Sequence, residues 1–162
     1  IITGKAVNEN DGDVIEAFND KFWAYHLGLK QDLFLANNIP YLSLDKLSIG
    51  IEICNWGQLT KKGTKYFNYV NREVKDVIEL DKPFKGYKYW HNYTDAQIQA
   101  TKELLLHLKS KHNIDLKYNE DIWDISKRVL LGVNGVFTHN SVRKDKVDIY
   151  PHPKMIEMLK SL

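Results

Sequence analysis

Leu47-Ser48-Ile49-Gly50-Ile51-Glu52-Ile53-Cys54 alternates without a break: Leu47, Ile49, Ile51 and Ile53 fall on one side, Ser48, Gly50, Glu52 and Cys54 on the other. Side chains of a strand leave on opposite faces in turn, so the spacing predicts a strand over 47–54 with one face in a core. The opposite face is small apart from one carboxylate. A charged carboxylate is costly to bury unpaired, so Glu52 is expected to face water or a polar pocket with room for a ligand. A glutamate on the solvent side of a strand reads equally well from these residues alone.

Upstream, 1–3 reads as a strand. Asn8-Glu9-Asn10-Asp11-Gly12 is turn chemistry, since Asn, Asp and Gly tolerate left-handed backbone angles, and 13–18 alternates as a second strand of a hairpin. The chain opens Ile1-Ile2-Thr3-Gly4 with no methionine, so further sequence, including a strand, is expected to precede it. A short helix is predicted over 31–38. Downstream, 57–92 is rich in Tyr, Lys, Gly and β-branched residues. Short strands over 64–70, 77–80 and 86–91 are expected there as an inserted β-rich segment, with Pro83 at an edge or turn. Thr94-Asp95-Ala96-Gln97 forms a capping box, and a helix follows to about His112, with Ile98, Thr101, Leu105 and Leu108 along one side. Its last turn carries Lys109, Lys111 and His112, suited to the negative end of the helix dipole, and Asn113 ends it. A helix over 121–131 stopped by Gly132, and a last one over 153–162 with Pro153 in its first turn, complete the pattern.

The 162 residues suit a single domain with one sizeable core. A formal net charge of +2 gives no electrostatic case for a nucleic-acid partner. Cys54 is the sole cysteine, so no disulfide forms within the chain, and it is read as a small buried residue. No apolar run is long enough to span a bilayer, and no signal peptide is visible, which leaves localisation unread.

The chemistry concentrates in Thr138-His139-Asn140-Ser141-Val142-Arg143-Lys144-Asp145-Lys146-Val147-Asp148. Imidazole and carboxylate are both zinc donors, and a lysine nearby can stabilise an oxyanion. Lys146 and Asp148, two apart, leave an extended segment on the same face. A hydrogen-bonded structural histidine and a solvated charged loop are the plain alternatives. His26, Trp23 and Trp56, with Tyr25, Trp90 and Tyr93, can line a groove for sugar or peptide, although aromatic clusters more often form core.

Taken together, these segments resemble the zinc-dependent N-acetylmuramoyl-L-alanine amidases of the amidase-2 and peptidoglycan-recognition superfamily, and phage endolysins among them. Trp23-Ala24-Tyr25-His26-Leu27-Gly28 resembles the family's Trp-His-x-Gly element, and Ser48-Ile49-Gly50-Ile51-Glu52 its central strand. Tyr93-Thr94-Asp95-Ala96-Gln97 matches the start of its long helix, and His139 through Asp148 its second-ligand and Lys-x-Asp segments. The resemblance implies an α/β fold, a central mixed sheet flanked by helices. It implies His139 and Asp148 as ligands of Zn2+, Glu52 as general base, Lys146 as oxyanion stabiliser, and His26, Trp23 and Trp56 along the substrate groove. The implied reaction is hydrolysis of the amide between N-acetylmuramic acid and the L-alanine of the stem peptide. The implied partner is peptidoglycan of the bacterial cell wall, met by a monomer without membrane insertion. The family's first zinc ligand lies in a His-His-Thr-like strand that is expected before Ile1. Asp148 is followed by Ile149-Tyr150-Pro151-His152-Pro153 in place of the common Pro-Gly-Pro, which brings His152 in as a substitute ligand. A non-catalytic peptidoglycan-binding module of the same fold is the alternative, and a nucleic-acid or structural phage protein a third.

Overall fold

The structure, a computed structural model, describes residues 1–5 and 10–162; Asn8 and Glu9 of the expected turn lie outside the described residues. The chain has an α/β fold, an antiparallel five-stranded sheet with flanking helices. All of the strands come from the segment expected to be β-rich: β1 (Gln58–Lys62), β2 (Lys65–Phe67), β3 (Glu73–Val74), β4 (Val77–Phe84) and β5 (Tyr87–His91), in the order β3-β2-β1-β5-β4. β4 runs past its expected end at residue 80 and includes Pro83. It is an edge strand, and its register with β5 shifts between Glu79 and Phe84, which is where a residue without an N–H is tolerated. β1 offered no alternation to read, since Leu59 is its one apolar residue.

The mixed pairing expected around 47–54 exists as two bridges instead of extended strands. Ile2 pairs antiparallel with Val14 and parallel with Ile53. The Ile2 N–H donates to Glu52 O at 2.7 Å, and the Cys54 N–H donates to Ile2 O at 2.9 Å. Segments 1–3, 13–18 and 47–54 thus meet as neighbours, but a strand extends only as far as its ladder, and Ile2 supplies one rung to each side. The predicted apolar face splits accordingly. Leu47 and Ile49 are 65% and 42% exposed, while Ile51 and Ile53 pack on the core.

Helix α1 (Gln31–Ala36) precedes the sheet; α2 (Asp95–His112), α3 (Lys127–Leu130) and α4 (Pro153–Lys160) follow it. The cap of α2 is the one the sequence spells. The Gln97 N–H donates to Thr94 Oγ1 at 3.1 Å, the Thr94 N–H to Gln97 Oε1 at 3.2 Å, and Asn113 closes the helix in the left-handed conformation. The helix expected over 121–131 is broken into a 3-10 turn, Glu120–Trp123, and α3. Side chains compete with the helical backbone between them: Asp121 accepts from Ser126 Oγ at 2.6 Å, and Asp124 Oδ1 from the Ile125 N–H at 2.7 Å.

The main core joins sheet, α2 and α4. Its centre is an aromatic stack in which Tyr150 lies against Trp90 at 4.6 Å and against Tyr93 at 5.1 Å between ring centres. A smaller cluster, Phe34, Ile39, Leu44, Leu130 and Val142, packs α1 against α3 and the start of the 142–148 loop.

Candidate metal centre

His139 opens a 3-10 turn, His139–Ser141, that the core fixes from behind. Ser141 Oγ donates to Ile122 O at 2.9 Å, and the Thr138 hydroxyl donates to the same carbonyl. Asn140 is fully buried, and its Nδ2 donates to Ile149 O at 2.7 Å. Tyr150, stacked in the core, donates its hydroxyl to His91 O at 2.8 Å. Asp148 is therefore set by Ile149 and Tyr150 behind it, and His139 by the turn that Asn140 ties to the same segment.

The result is a direct pair. His139 Nδ1 lies 2.7 Å from Asp148 Oδ2, and Lys146 Nζ lies 3.5 Å from the same oxygen. His139 Nε2 lies 3.0 Å from Leu27 O. Facing an acceptor from each nitrogen, the ring is suited to the doubly protonated form. The hydrogen bond to Asp148, opposed by burial, raises the His139 pKa above its ordinary 6.5. The hydrogen bond from His139 lowers the Asp148 pKa in turn, with Lys146 adding to it.

The Leu27 carbonyl brings the Trp23-to-Gly28 stretch to the site. Gly28 has φ +61°, and this backbone angle calls for glycine; a Cβ there would also press on the Arg143 guanidinium, whose flexible end can move. His26 lies next in line: Nδ1 is 2.8 Å from Ala24 O, Nε2 is 3.0 Å from Ser48 Oγ, and the ring covers Gly50. Asp45, buried, accepts from the N–H groups of His26 and Leu27 at 2.9 and 3.0 Å. Burial pushes its pKa up, but these donors outweigh it and the net direction is down. Asp45 was not singled out from sequence; its one signal is a carboxylate in an otherwise ordinary 3-10 turn, Leu44–Lys46.

Among the described residues, no hydrogen bond or ion pair joins the remaining expected residues to the pair. Glu52 is exposed, and among the described residues its carboxylate enters no ion pair. Trp23 is 44% exposed, edge-to-face with Tyr25 at 5.1 Å and under Lys46 Nζ. Trp56 lies toward the sheet, its backbone N–H donating to His91 Nδ1 at 3.2 Å and its ring under Arg72. His152 is not a substitute ligand beside Asp148: it is buried against Tyr93 and Tyr150, with Nε2 2.9 Å from Asn92 Oδ1.

A catalytic zinc takes three protein ligands and keeps a position for water. Among the described residues no three His, Cys, Asp or Glu side chains come together. His139 and Asp148 supply two donors of the right kind, and by themselves do not make that site. Likewise, among the described residues no helix is long and apolar enough to cross a membrane.

Neither the curated proteins nor the solved structures gave a match to this chain. A family profile described as N-acetylmuramoyl-L-alanine amidase matches residues 5–153, a span that holds the His139–Asp148 pair, Lys146 and the long capped helix. The chain belongs to the N-acetylmuramoyl-L-alanine amidase family.

Proposed function

We propose that the protein is a peptidoglycan hydrolase, acting as a monomer, that cleaves the amide between the lactyl group of N-acetylmuramic acid and the L-alanine of the stem peptide. The observation that carries this is the His139–Asp148 pair at 2.7 Å, with Lys146 on the same carboxylate, inside a chain of this family. In this reading the enzyme depends on zinc. His139 and Asp148 are two of its donors. To bind a cation the imidazole would give up a proton, and Nδ1 is the nitrogen that faces Asp148.

The reaction adds water across the amide: the C–N bond breaks, leaving a lactyl carboxylate and a free L-alanine amine. Glu52 is the proposed proton acceptor; it is exposed and, among the described residues, in no ion pair. The Lys146 ammonium is the proposed partner of the negative charge that develops on the carbonyl oxygen. His26, Trp23 and Trp56 are the proposed substrate contacts, and the setting is lysis of the bacterial wall by a phage-type endolysin.

The test is digestion of purified peptidoglycan with zinc supplied, followed by mass spectrometry of the soluble products. Stem peptides with a new N-terminal L-alanine, suppressed by a chelator and restored by zinc, are the expected outcome. Co-sedimentation with cell walls and no new N-terminal alanine would replace this reading with that of a binding module.

A further inference from the structure

The turn between β4 and β5 is made by Lys85 and Gly86, with φ of +49° and +85°. A two-residue hairpin turn of this hand needs both central residues in the left-handed region, where Asn, Asp and Gly are the low-cost choices. Among the described residues, the other non-glycine residues with positive φ are Asn38, Asn71 and Asn113. Lys85 is the exception, so its side chain is the place to look for a compensating contact.

That side chain reaches out of the sheet. Lys85 Nζ donates to Lys144 O at 2.9 Å and to Lys146 O at 2.7 Å, and lies 5.8 Å from the centre of the Phe84 ring. Among the described residues, these are the hydrogen bonds that tie the carbonyls of 144–148 to another part of the fold. The Arg143–Asp145 pair is local to the loop; Val147 packs on the main core by its side chain, and hydrogen-bonded anchors follow at Ile149 and Tyr150. An ammonium with several donors on a long stem suits two carbonyls that diverge along one loop.

Resting on the amidase reading, we propose that Lys85 is a positioning residue. The β4–β5 turn straps the 144–148 loop, and so holds Lys146 and Asp148 in register with His139. The sheet is thereby coupled to the reaction although none of its strands enters the site.

Three variants of the full chain test this: Lys85→Met, which keeps the stem and removes the ammonium; Lys85→Arg, which restores donors; and Lys82→Met, an exposed control on the same strand. Lys85→Met is expected to lower kcat for amide hydrolysis about 10-fold with KM changed less than about 2-fold, the signature of misplaced groups and not of lost binding. Thermal midpoint should stay with that of wild type, hydrogen exchange at the Lys146 amide should quicken, Lys85→Arg should recover most of kcat, and Lys82→Met should match wild type. Unchanged exchange at Lys146, or an unchanged kcat, in Lys85→Met would overturn the strap. A wild-type protein that leaves the lactyl-alanine amide intact would instead remove the amidase reading. The exchange comparison, which needs no turnover, would then still decide whether Lys85 holds the loop.

Discussion

His139 and His152 stand 13 positions apart on the same polar segment and respond to acid in opposite directions. His139 donates to Asp148, and its folded pKa lies above the ordinary 6.5. Its contribution to stability is therefore full below 6.5 and is lost as pH rises through the folded value. Burial, and then the Lys154 cation, push His152 down to about 4. The folded chain resists that proton, so stability is lost as pH falls from 6.5 to about 4 and levels off below. Over that interval the loss amounts to about 3 kcal/mol. Urea midpoints measured across pH are expected to lose this acid-side fall in His152→Gln, whereas His139→Gln should be weakened at mildly acid pH and little changed at alkaline pH. Lys146 gives a separate residue-level prediction. Lys146→Met should lower kcat by about 100-fold, as loss of an oxyanion partner does, with circular dichroism and thermal midpoint near wild type. That His139, Lys146 and Asp148 come together was legible because their spacing in one polar run survives folding. Asp45 and Lys85 were not, because each acts on backbone groups far away in sequence.

Among the elements, α2 was legible at both ends because its signals are local: Thr94 and Gln97 at one end, Asn113 at the other. Those cap residues also reach outward. Thr94 Oγ1 donates to Asp11 Oδ1 at 2.9 Å, and Gln97 Nε2 donates to Cys54 O at 2.7 Å, which ties the helix to the 47–54 segment. Thr94→Ala is expected to cost about 1 kcal/mol and lower the thermal midpoint by about 2–4 °C, read by differential scanning calorimetry. An unshifted midpoint would mean that the cap does not limit stability. The strand over 47–54 was half legible. Its alternation is present in the chain, but a strand also needs partners, and alternation carries no information about which neighbours supply them. The reverse holds for β1, where pairing with β2 and β5 makes a strand of a sequence with one apolar residue. The break between Glu120–Trp123 and α3 was hidden because Ser126 is held from elsewhere, its N–H donating to Ser141 O at 2.9 Å.

Across the whole molecule, one aromatic stack lies behind the segment that carries Asp148. Trp90 from β5, Tyr93 before α2 and Tyr150 before α4 meet in the core, and Tyr150 lies two residues beyond Asp148. Trp90 and Tyr93 were groove candidates from sequence; both are buried and pack against the residue that follows the Asp148 segment, Tyr150. Trp90→Ala should cost about 3–5 kcal/mol in urea unfolding, with activity lost alongside the fold. The helix order was legible from periodicity and caps, and the α/β class was implied by the family resemblance, whereas the sheet order was not legible, since strand order is decided by contacts between segments. The central claim is that His139 and Asp148 act as one unit on the stem-peptide amide. The most direct measurement is a double-mutant cycle on the initial rate of N-terminal L-alanine release from peptidoglycan, using His139→Ala, Asp148→Asn and the double variant. Each single change is expected to cut the rate by about 100-fold or more, with the double variant no slower than the slower single. Losses that multiply in the double variant, or a single change that leaves the rate intact, would contradict it.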